Sequence, residues 1–309
     1  MKKVLVTGGA GFIGSHTVDM LLENEISVRV LDNFSSGHRS NLPESHPLLE
    51  VVVGDITNRA TVSEAMSDVS HCLHLAAQVS VVASFEDPAH SAMQNIIGFV
   101  NIITGAQNQG VERLVYASSA AIYGQPSEIP LPEQAEKSQL SPYGLEKQVD
   151  EEYADLFTRV YGFSSLGQRY FNVYGPRQDP KSPYAGVIAL FVDRIVDGKG
   201  ITVYGDGYQT RDFIYVQDVA RANLAALQSD LTGACNVGTG AQSTLLDLIE
   251  VLSKIAGTSS EVSHEPAREG DIKHSLANVT RMNQQLGIKA QASIEEGLKA
   301  LLDYSNHPT

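Results

Sequence analysis

Along the first half of the chain, short apolar runs alternate with stretches in which apolar positions recur every three or four residues. The runs are "KVLVTG", "SVRVLD", "EVVVGD", "HCLHLAA" and "RLVYASS"; helical periodicity fills Phe12 to Glu23, 58 to 67 and 89 to 108 between them. Strands that read as continuous apolar runs are buried on both faces, and strands separated by helices pair in parallel. The pattern therefore predicts an α/β fold built on a doubly wound parallel sheet.

A further helix opens at Pro142, a residue suited to the first helical position, behind Ser141 as N-cap. Leu145, Val149, Tyr153, Leu156 and Val160 form one apolar stripe on it. At about 100° per residue, Tyr143 and Lys147 fall on the opposite side. Both sides then need partners: the stripe is expected to pack partly on its own sheet and partly on a second subunit, and the other side to face a site. The run "VIALFV" at 187 to 192 predicts another packed helix. From Val173 onward proline, glycine and tyrosine become frequent, which predicts a dinucleotide-binding domain over 1 to 172 and a smaller α/β unit over 173 to 309. Segments near 211 to 240 again read as parallel-sheet units and are expected to return to the first domain.

Composition narrows the function. The 309 residues are 42% hydrophobic, enough for a substantial core, and 22 Lys plus Arg against 36 Asp plus Glu give a formal charge of -14. Such a chain repels a phosphate backbone, so nucleic acid is excluded as a partner, and an anionic ligand must be held by helix N-termini or well placed arginines. Cys72 and Cys235 each lie in an apolar run and offer neither a disulfide framework nor metal-ligand spacing, so both are expected to be buried and reduced and no metal is expected. The opening "MKKVLVTGGAGF" is too short in its apolar run for a signal peptide, and no stretch approaches a membrane span. These readings make the protein cytoplasmic. Histidines 16, 71, 74 and 90 are expected to cap or fill element surfaces.

"VLVTGGAGFIGSH" sets glycines at 8, 9, 11 and 14 between the first strand and the first helix. Glycine permits the tight turn and the close approach of backbone to a pyrophosphate, with the helix N-terminus supplying positive potential. The second strand ends in Asp32, 18 residues beyond Gly14, where a carboxylate accepts hydrogen bonds from an adenosine ribose and repels a 2'-phosphate. The cofactor predicted is NAD.

Taken in order, "TGGAGFIG", "DNFSSG", "GDI", "HLAA", "YASSAAIYG", "SPYGLEK", "RYFNVYGPR" and "REGD" resemble the extended short-chain dehydrogenases/reductases, in their nucleotide-sugar 4-epimerase branch. The resemblance covers nearly the whole chain and implies an enzyme. It makes Tyr143 the acid/base on the sugar hydroxyl, Lys147 the residue that binds the nicotinamide ribose and favours the phenolate, and Ser119 a hydrogen-bond partner of the reacting oxygen. A phenol of ordinary pKa near 10 is only about one part in a thousand ionised at neutral pH, so a neighbouring cation has a clear task. The resemblance further implies cofactor contacts at Gly8, Gly11, Phe12, Ile13, Gly14, Asp32, Asn33, Asp55, Ile56, Asn95 and Tyr170. Substrate contacts follow at Ser80, Asn172, Arg211, Arg268, Asp271 and Ser275. It also implies a homodimer, built from the stripe on the Pro142 helix and the apolar helix around Met93, Ile97 and Val100, and a place in polysaccharide biosynthesis.

Two small residues refine the chemistry. Related dehydratases and decarboxylases resemble this chain but carry acids just after the position matching Ser119, where "SSAAIYG" has Ala120 and Ala121; methyl groups transfer no protons. Oxidation with return of hydride is left. Ser275 matches a gate beside the sugar C2 substituent, and a small residue there leaves room for an N-acetyl group. The expected reaction is UDP-GlcNAc/UDP-GalNAc interconversion, with UDP-glucose/UDP-galactose or UDP-glucuronate as alternative substrates. A sugar-nucleotide reductase and a non-catalytic dinucleotide sensor are the readings from other classes.

Overall fold

The computed structural model describes residues 1–180, 186–258, 260–267 and 272–306. β1 (Lys3–Thr7) leads through the glycine turn into α1 (Phe12–Glu23), and β2 (Ser27–Asp32), β3 (Leu49–Val53) and α2 (Arg59–Ala65) follow. Next come β4 (His71–His74), α3 (Val81–Glu86), α4 (Pro88–Ala92), a π-helical turn at Met93–Ile97, α5 (Gly98–Asn108) and β5 (Arg113–Ser119). α6 (Pro142–Tyr161), β6 (Ser165–Tyr170), β7 (Asn172–Tyr174), α7 (Val187–Val196) and β8 (Ile201–Tyr204) precede β9 (Thr210–Arg211), β10 (Phe213–Tyr215) and α8 (Val216–Gln228). The last described elements are β11 (Gly233–Val237), β12 (Ser243–Thr244), α9 (Leu245–Ala256), β13 (Val262–Glu265), α10 (Thr280–Gln285) and α11 (Ile294–Asn306).

Seven strands form one parallel sheet in the order β11-β6-β5-β4-β1-β2-β3. The chain steps outward from β1 to β3 and then returns to β4, so the order reverses between β1 and β4; ligands of open α/β sheets bind at the carboxyl ends of strands flanking such a switch point. Alternation along the strands sends Val4 and Val6 into a core with Val18 and Leu21 of α1 and Val219 of α8. Leu5 and Leu31 face the other way, onto Phe99, Ile102 and Ile103 of α5. This is the doubly wound α/β architecture that the sequence pattern predicts. A third core joins Ile188 and Phe191 of α7, Leu248 and Leu252 of α9 and Leu298 of α11. Beside it lie the small pairs β7 with β10, β9 with β12 and β8 with β13.

Two local readings of the sequence need correcting. The periodic stretch from 89 to 108 is interrupted: five residues, Met93–Ile97, are wound as a π-helix between α4 and α5. The stripe on α6 does not pack on its own sheet. Leu145, Tyr153, Leu156 and Val160 are 36 to 59% exposed and Val149 is half-buried, whereas Glu146, Lys147, Asp150, Glu151 and Ala154 are buried. The charged face of α6 is the inward face, because each charge there finds a partner on another element or on its own helix.

Candidate active site

The first turn of α1 is shaped for a ligand's phosphates. Its N-cap, Gly11, makes no side-chain capping bond, so the first amide groups of the helix have no side chain to satisfy them. Gly8 has φ 67°, and a Cβ on it would lie 2.7 Å from Ala76 N; a Cβ on Gly14 would lie 2.1 Å from Gly8 O. Only glycine fits either position. Phe12 and Ile13 open α1 above this turn. Asp32 closes the cradle at the end of β2: Oδ2 accepts from Ala10 N at 2.9 Å and Oδ1 from Phe34 N at 2.8 Å. Its carboxylate is thus fixed beside the glycine turn, where the sequence pattern puts the adenosine ribose. Asn33 Nδ2 donates to Asp55 Oδ2 at 2.8 Å, joining the ends of β2 and β3. Burial pushes the Asp55 carboxyl up, but hydrogen bonds from Thr57 and Asn33 outweigh it and hold it below the usual value; Ile56 beside it is buried. A cradle that a Cβ would fill, a helix start without a side-chain cap and a fixed acid at the second strand are the features that a bound NAD requires, and these residues fit it.

The groups expected from the sequence to react sit where β5 and α6 meet. Ser119 ends β5 opposite Tyr170 of β6, and its Oγ accepts from Ala121 N at 3.1 Å. Ser141 caps α6 as the sequence predicts, its Oγ accepting from Gly144 N at 3.1 Å behind Pro142. A Cβ on Gly144 would lie 2.8 Å from Ala121 O, so the turn that carries Tyr143 is pressed against the turn that begins at Ser119. Tyr143 N donates to Ser84 Oγ at 3.2 Å, which ties the same turn to α3. One turn on, Lys147 is 2% exposed and its Nζ donates to Asp150 Oδ2 at 3.2 Å. Burial disfavours its charge, but Asp150, then Tyr143 and Glu146, outweigh burial and raise its pKa. The ammonium therefore stays charged. His74 nearby is neutral: burial, with Lys147 adding to it, pushes it down to about 3, and its Nδ1 lies 2.7 Å from Thr7 Oγ1.

The other predicted residues that are described lie on neighbouring elements. Asn95 lies in the π-turn, a distortion frequent at functional sites, and its side chain bonds both backbone groups of Gln78 at 2.8 and 2.9 Å. Tyr170 is buried, with its hydroxyl donating to Asn223 Oδ1 at 2.6 Å. Ser80 caps α3. Asn172 opens β7 and pairs in register with Phe213, Arg211 sits on β9 with Nη1 on Thr210 O at 2.9 Å, and Ser275 N donates to Thr210 O at 3.1 Å. β9 thus brings Arg211 and Ser275 together. Arg268 and Asp271 lie outside the described residues.

Several structural partners were not singled out by sequence pattern. Glu146 Oε2 accepts from Ser91 Oγ at 2.8 Å and Asn95 Nδ2 at 2.6 Å. Glu151 takes two 2.7 Å bonds from Arg169 and further bonds from Lys137 and Ser118. Asp212, fully buried, accepts from Thr239, Gly240 and Ala277 and so anchors the segment just after Ser275 beside β9. Glu146 and Glu151 lie five residues apart on α6, and no local pattern in the sequence marks either as buried.

A dinucleotide cradle at the switch point, with serine, tyrosine and lysine converging from β5 and α6, defines a dinucleotide-dependent enzyme. The NAD dependent epimerase/dehydratase family matches residues 4–238, and the chain belongs to it. It is 39% identical over 303 residues to a putative UDP-glucose 4-epimerase of Methanocaldococcus jannaschii, covering 97% of each chain. Its fold superposes on the UDP-N-acetylglucosamine 4-epimerase from Methanobrevibacter ruminantium M1, solved with UDP-N-acetylmuramic acid, with a TM-score of 0.96 at 36% identity over 100% of this chain and 99% of that one. The UDP-glucose 4-epimerase of Thermus thermophilus, solved in complex with NAD, gives 0.92 at 37% identity, over 99% and 100%. The enzyme class is that of the NAD-dependent UDP-sugar 4-epimerases.

Proposed function

We propose that the protein interconverts UDP-GlcNAc and UDP-GalNAc. The observation that carries this substrate choice is Ser275: a small, buried side chain on the strip of backbone paired with β9, beside Arg211. A serine leaves space at that wall which a tyrosine would fill, and a roomy pocket admits an N-acetyl group while still tolerating a hydroxyl. UDP-glucose and UDP-galactose are therefore slower substrates rather than excluded ones, a reading that the UDP-glucose 4-epimerases among the relatives favour. The preference is tested by comparing kcat/KM for UDP-GlcNAc and UDP-glucose; a higher value for UDP-glucose overturns it.

When bound, NAD supplies a reversible hydride acceptor for the sugar C4. Tyr143 takes the proton from the C4 hydroxyl and later returns it, Ser119 holds the reacting oxygen by a hydrogen bond, and Lys147 stabilises the phenolate and binds the nicotinamide ribose. Gly8, Gly11, Phe12, Ile13 and Gly14 cradle the pyrophosphate, Asp32, Asn33, Asp55 and Ile56 hold the adenosine end, and Asn95 and Tyr170 border the nicotinamide. Asn172, Arg211 and Arg268 hold the UDP diphosphate, Asp271 the uridine ribose and Ser80 the sugar. Residues 1 to 172, with the return of β11 to the sheet, serve the dinucleotide; 173 to 309 mainly serve the UDP-sugar.

The outward stripe on α6, with exposed Met93 and Ile97 beside half-buried Val100, supports a homodimer formed by these helices from two copies. Cys72 and Cys235, buried and unpaired, support a cytoplasmic enzyme, and no described helix is long and apolar enough to cross a membrane.

A further inference from the structure

The inward face of α6 carries Glu146, Asp150 and Glu151, each less than a tenth exposed. Glu146 and Glu151 receive hydrogen bonds from other elements, Glu146 from Ser91 and Asn95 and Glu151 from Ser118, Lys137 and Arg169. Asp150 does not share their situation. Its Oδ2 accepts from Lys147 Nζ at 3.2 Å, its Oδ1 is buried with no partner among the described residues, and its side chain is 1% exposed. A carboxylate with an unmet oxygen in the interior is costly, and an alanine, like Ala154 one turn on, would fill the position without that cost. The helix spacing puts Tyr143 one turn before Lys147 and Asp150 one turn after it, so the ammonium stands between a phenol and an acid.

We propose that Asp150 is a positioning residue for the reaction: it anchors the Lys147 ammonium from the far side of Tyr143, and its charge sets how strongly that ammonium favours the phenolate. The proposal rests on Tyr143 and Lys147 having the roles assigned above. The charged and titratable groups facing the pair are Glu146 and Glu151 on α6, Tyr116 on β5, Arg169 on β6 behind Glu151, and His74 on β4. Tyr116 is held neutral by burial and His74 is neutral, while Glu151 is ionised against Arg169. Asp150 is different. Burial, opposed by Lys147, pushes its carboxyl up to about 7, so it changes charge near neutral pH. When Asp150 is neutral the ammonium acts on the phenol undiluted; when it is ionised, part of that field is cancelled.

The test is Asp150→Asn, which keeps an oxygen for Lys147 and removes the charge. Below about pH 7, where the native acid is neutral too, the two kcat profiles coincide; above it the variant's kcat is higher by a few-fold, because nothing offsets its ammonium. Thermal stability gives a readout independent of activity. A buried acid whose pKa is raised on folding contributes fully below its unfolded value of 3.8 and loses that contribution as pH rises through about 7. The variant lacks this loss, so its Tm relative to the native protein increases between about pH 4 and about pH 7, the interval from the unfolded to the folded value. Superimposable kcat profiles overturn the proposal, as does a Tm difference that is flat with pH. Should Asp150→Asn fail to fold, Asp150→Ser is read by the same two measurements. Tyr143→Phe is run alongside: if it remains active, the assignment of Tyr143 has failed, and that outcome is distinct from an unmoved profile in the Asp150 variant.

Discussion

Glu146 Oε2 accepts a 2.6 Å hydrogen bond from Asn95 Nδ2, and this contact joins the helix that carries Tyr143 and Lys147 to the π-turn. Asn95 continues the chain to Gln78, whose side-chain amide donates to Ser80 O at 3.0 Å and to Ser91 Oγ at 3.2 Å. A buried acid thus fixes α6 to the π-turn and, through Gln78, to the segment that carries Ser80. Glu146→Ala removes the acceptor of two buried donors, which costs about 2–4 kcal/mol in denaturant unfolding. Glu146→Gln keeps an acceptor oxygen, so it should lose less than half of that and retain most of kcat.

Glu151 and Arg169 form the second such anchor, at 2.7 Å with side chains 7% and 3% exposed. Burial raises the Glu151 carboxyl, but hydrogen bonds and charge from Arg169 and Lys137 prevail and hold it below its ordinary 4.5. A depressed acid contributes stability above its unfolded value and loses it as pH falls through the folded one. Unfolding measured against pH should therefore show a loss beginning below 4.5 that is absent in Glu151→Gln. At neutral pH Glu151→Ala, which leaves Arg169 buried and unpaired, should cost about 3–5 kcal/mol.

β1, β2, β4 and β5 were legible because they are largely buried on both faces and read as mainly apolar runs, whereas β6 (SLGQRY) is buried but polar and β3 lies half-exposed at the sheet edge. α1 and α6 were legible from Gly11, Ser141 and Pro142 at their starts. The π-turn was not, since one extra residue inside a long periodic stretch leaves the apolar spacing nearly unchanged. The inward face of α6 was also hidden. An acid reads as a solvated residue unless its partner is known, and Glu151 meets Arg169 18 positions away and Ser118 33 positions away, while Glu146 meets Asn95 51 positions away. Distances along the chain of that size are set by the fold, not by any local pattern. The positions expected to be catalytic were named from motif resemblance, and β5, β6 and α6 bring Ser119, Tyr170 and the Tyr143 turn to the carboxyl end of the sheet.

Ser275→Tyr fills the wall beside Arg211. Conversion of UDP-GlcNAc should fall by at least about tenfold, within the range of a substituent excluded from a pocket, while UDP-glucose conversion persists. Competition between the two substrates, followed by the anomeric proton signals, checks it; equal loss of both activities argues against a gate at this position.

Leu156 and Val160 are 41% and 59% exposed on the outward stripe. Leu156→Asp with Val160→Asp places charges in a helix-on-helix contact and should halve the mass seen in sedimentation velocity. If the native protein already sediments as a monomer, the stripe has another occupant.

The most direct measurement takes the protein as isolated, with no dinucleotide added, and follows UDP-GlcNAc by the NMR signals of its anomeric proton. The account predicts that UDP-GalNAc appears and approaches a fixed ratio without steady formation of reduced dinucleotide, and that Tyr143→Phe slows this by about 10²–10⁴-fold. Failure to convert any UDP-hexose even after NAD is supplied, or consumption of dinucleotide in proportion to product, would contradict it.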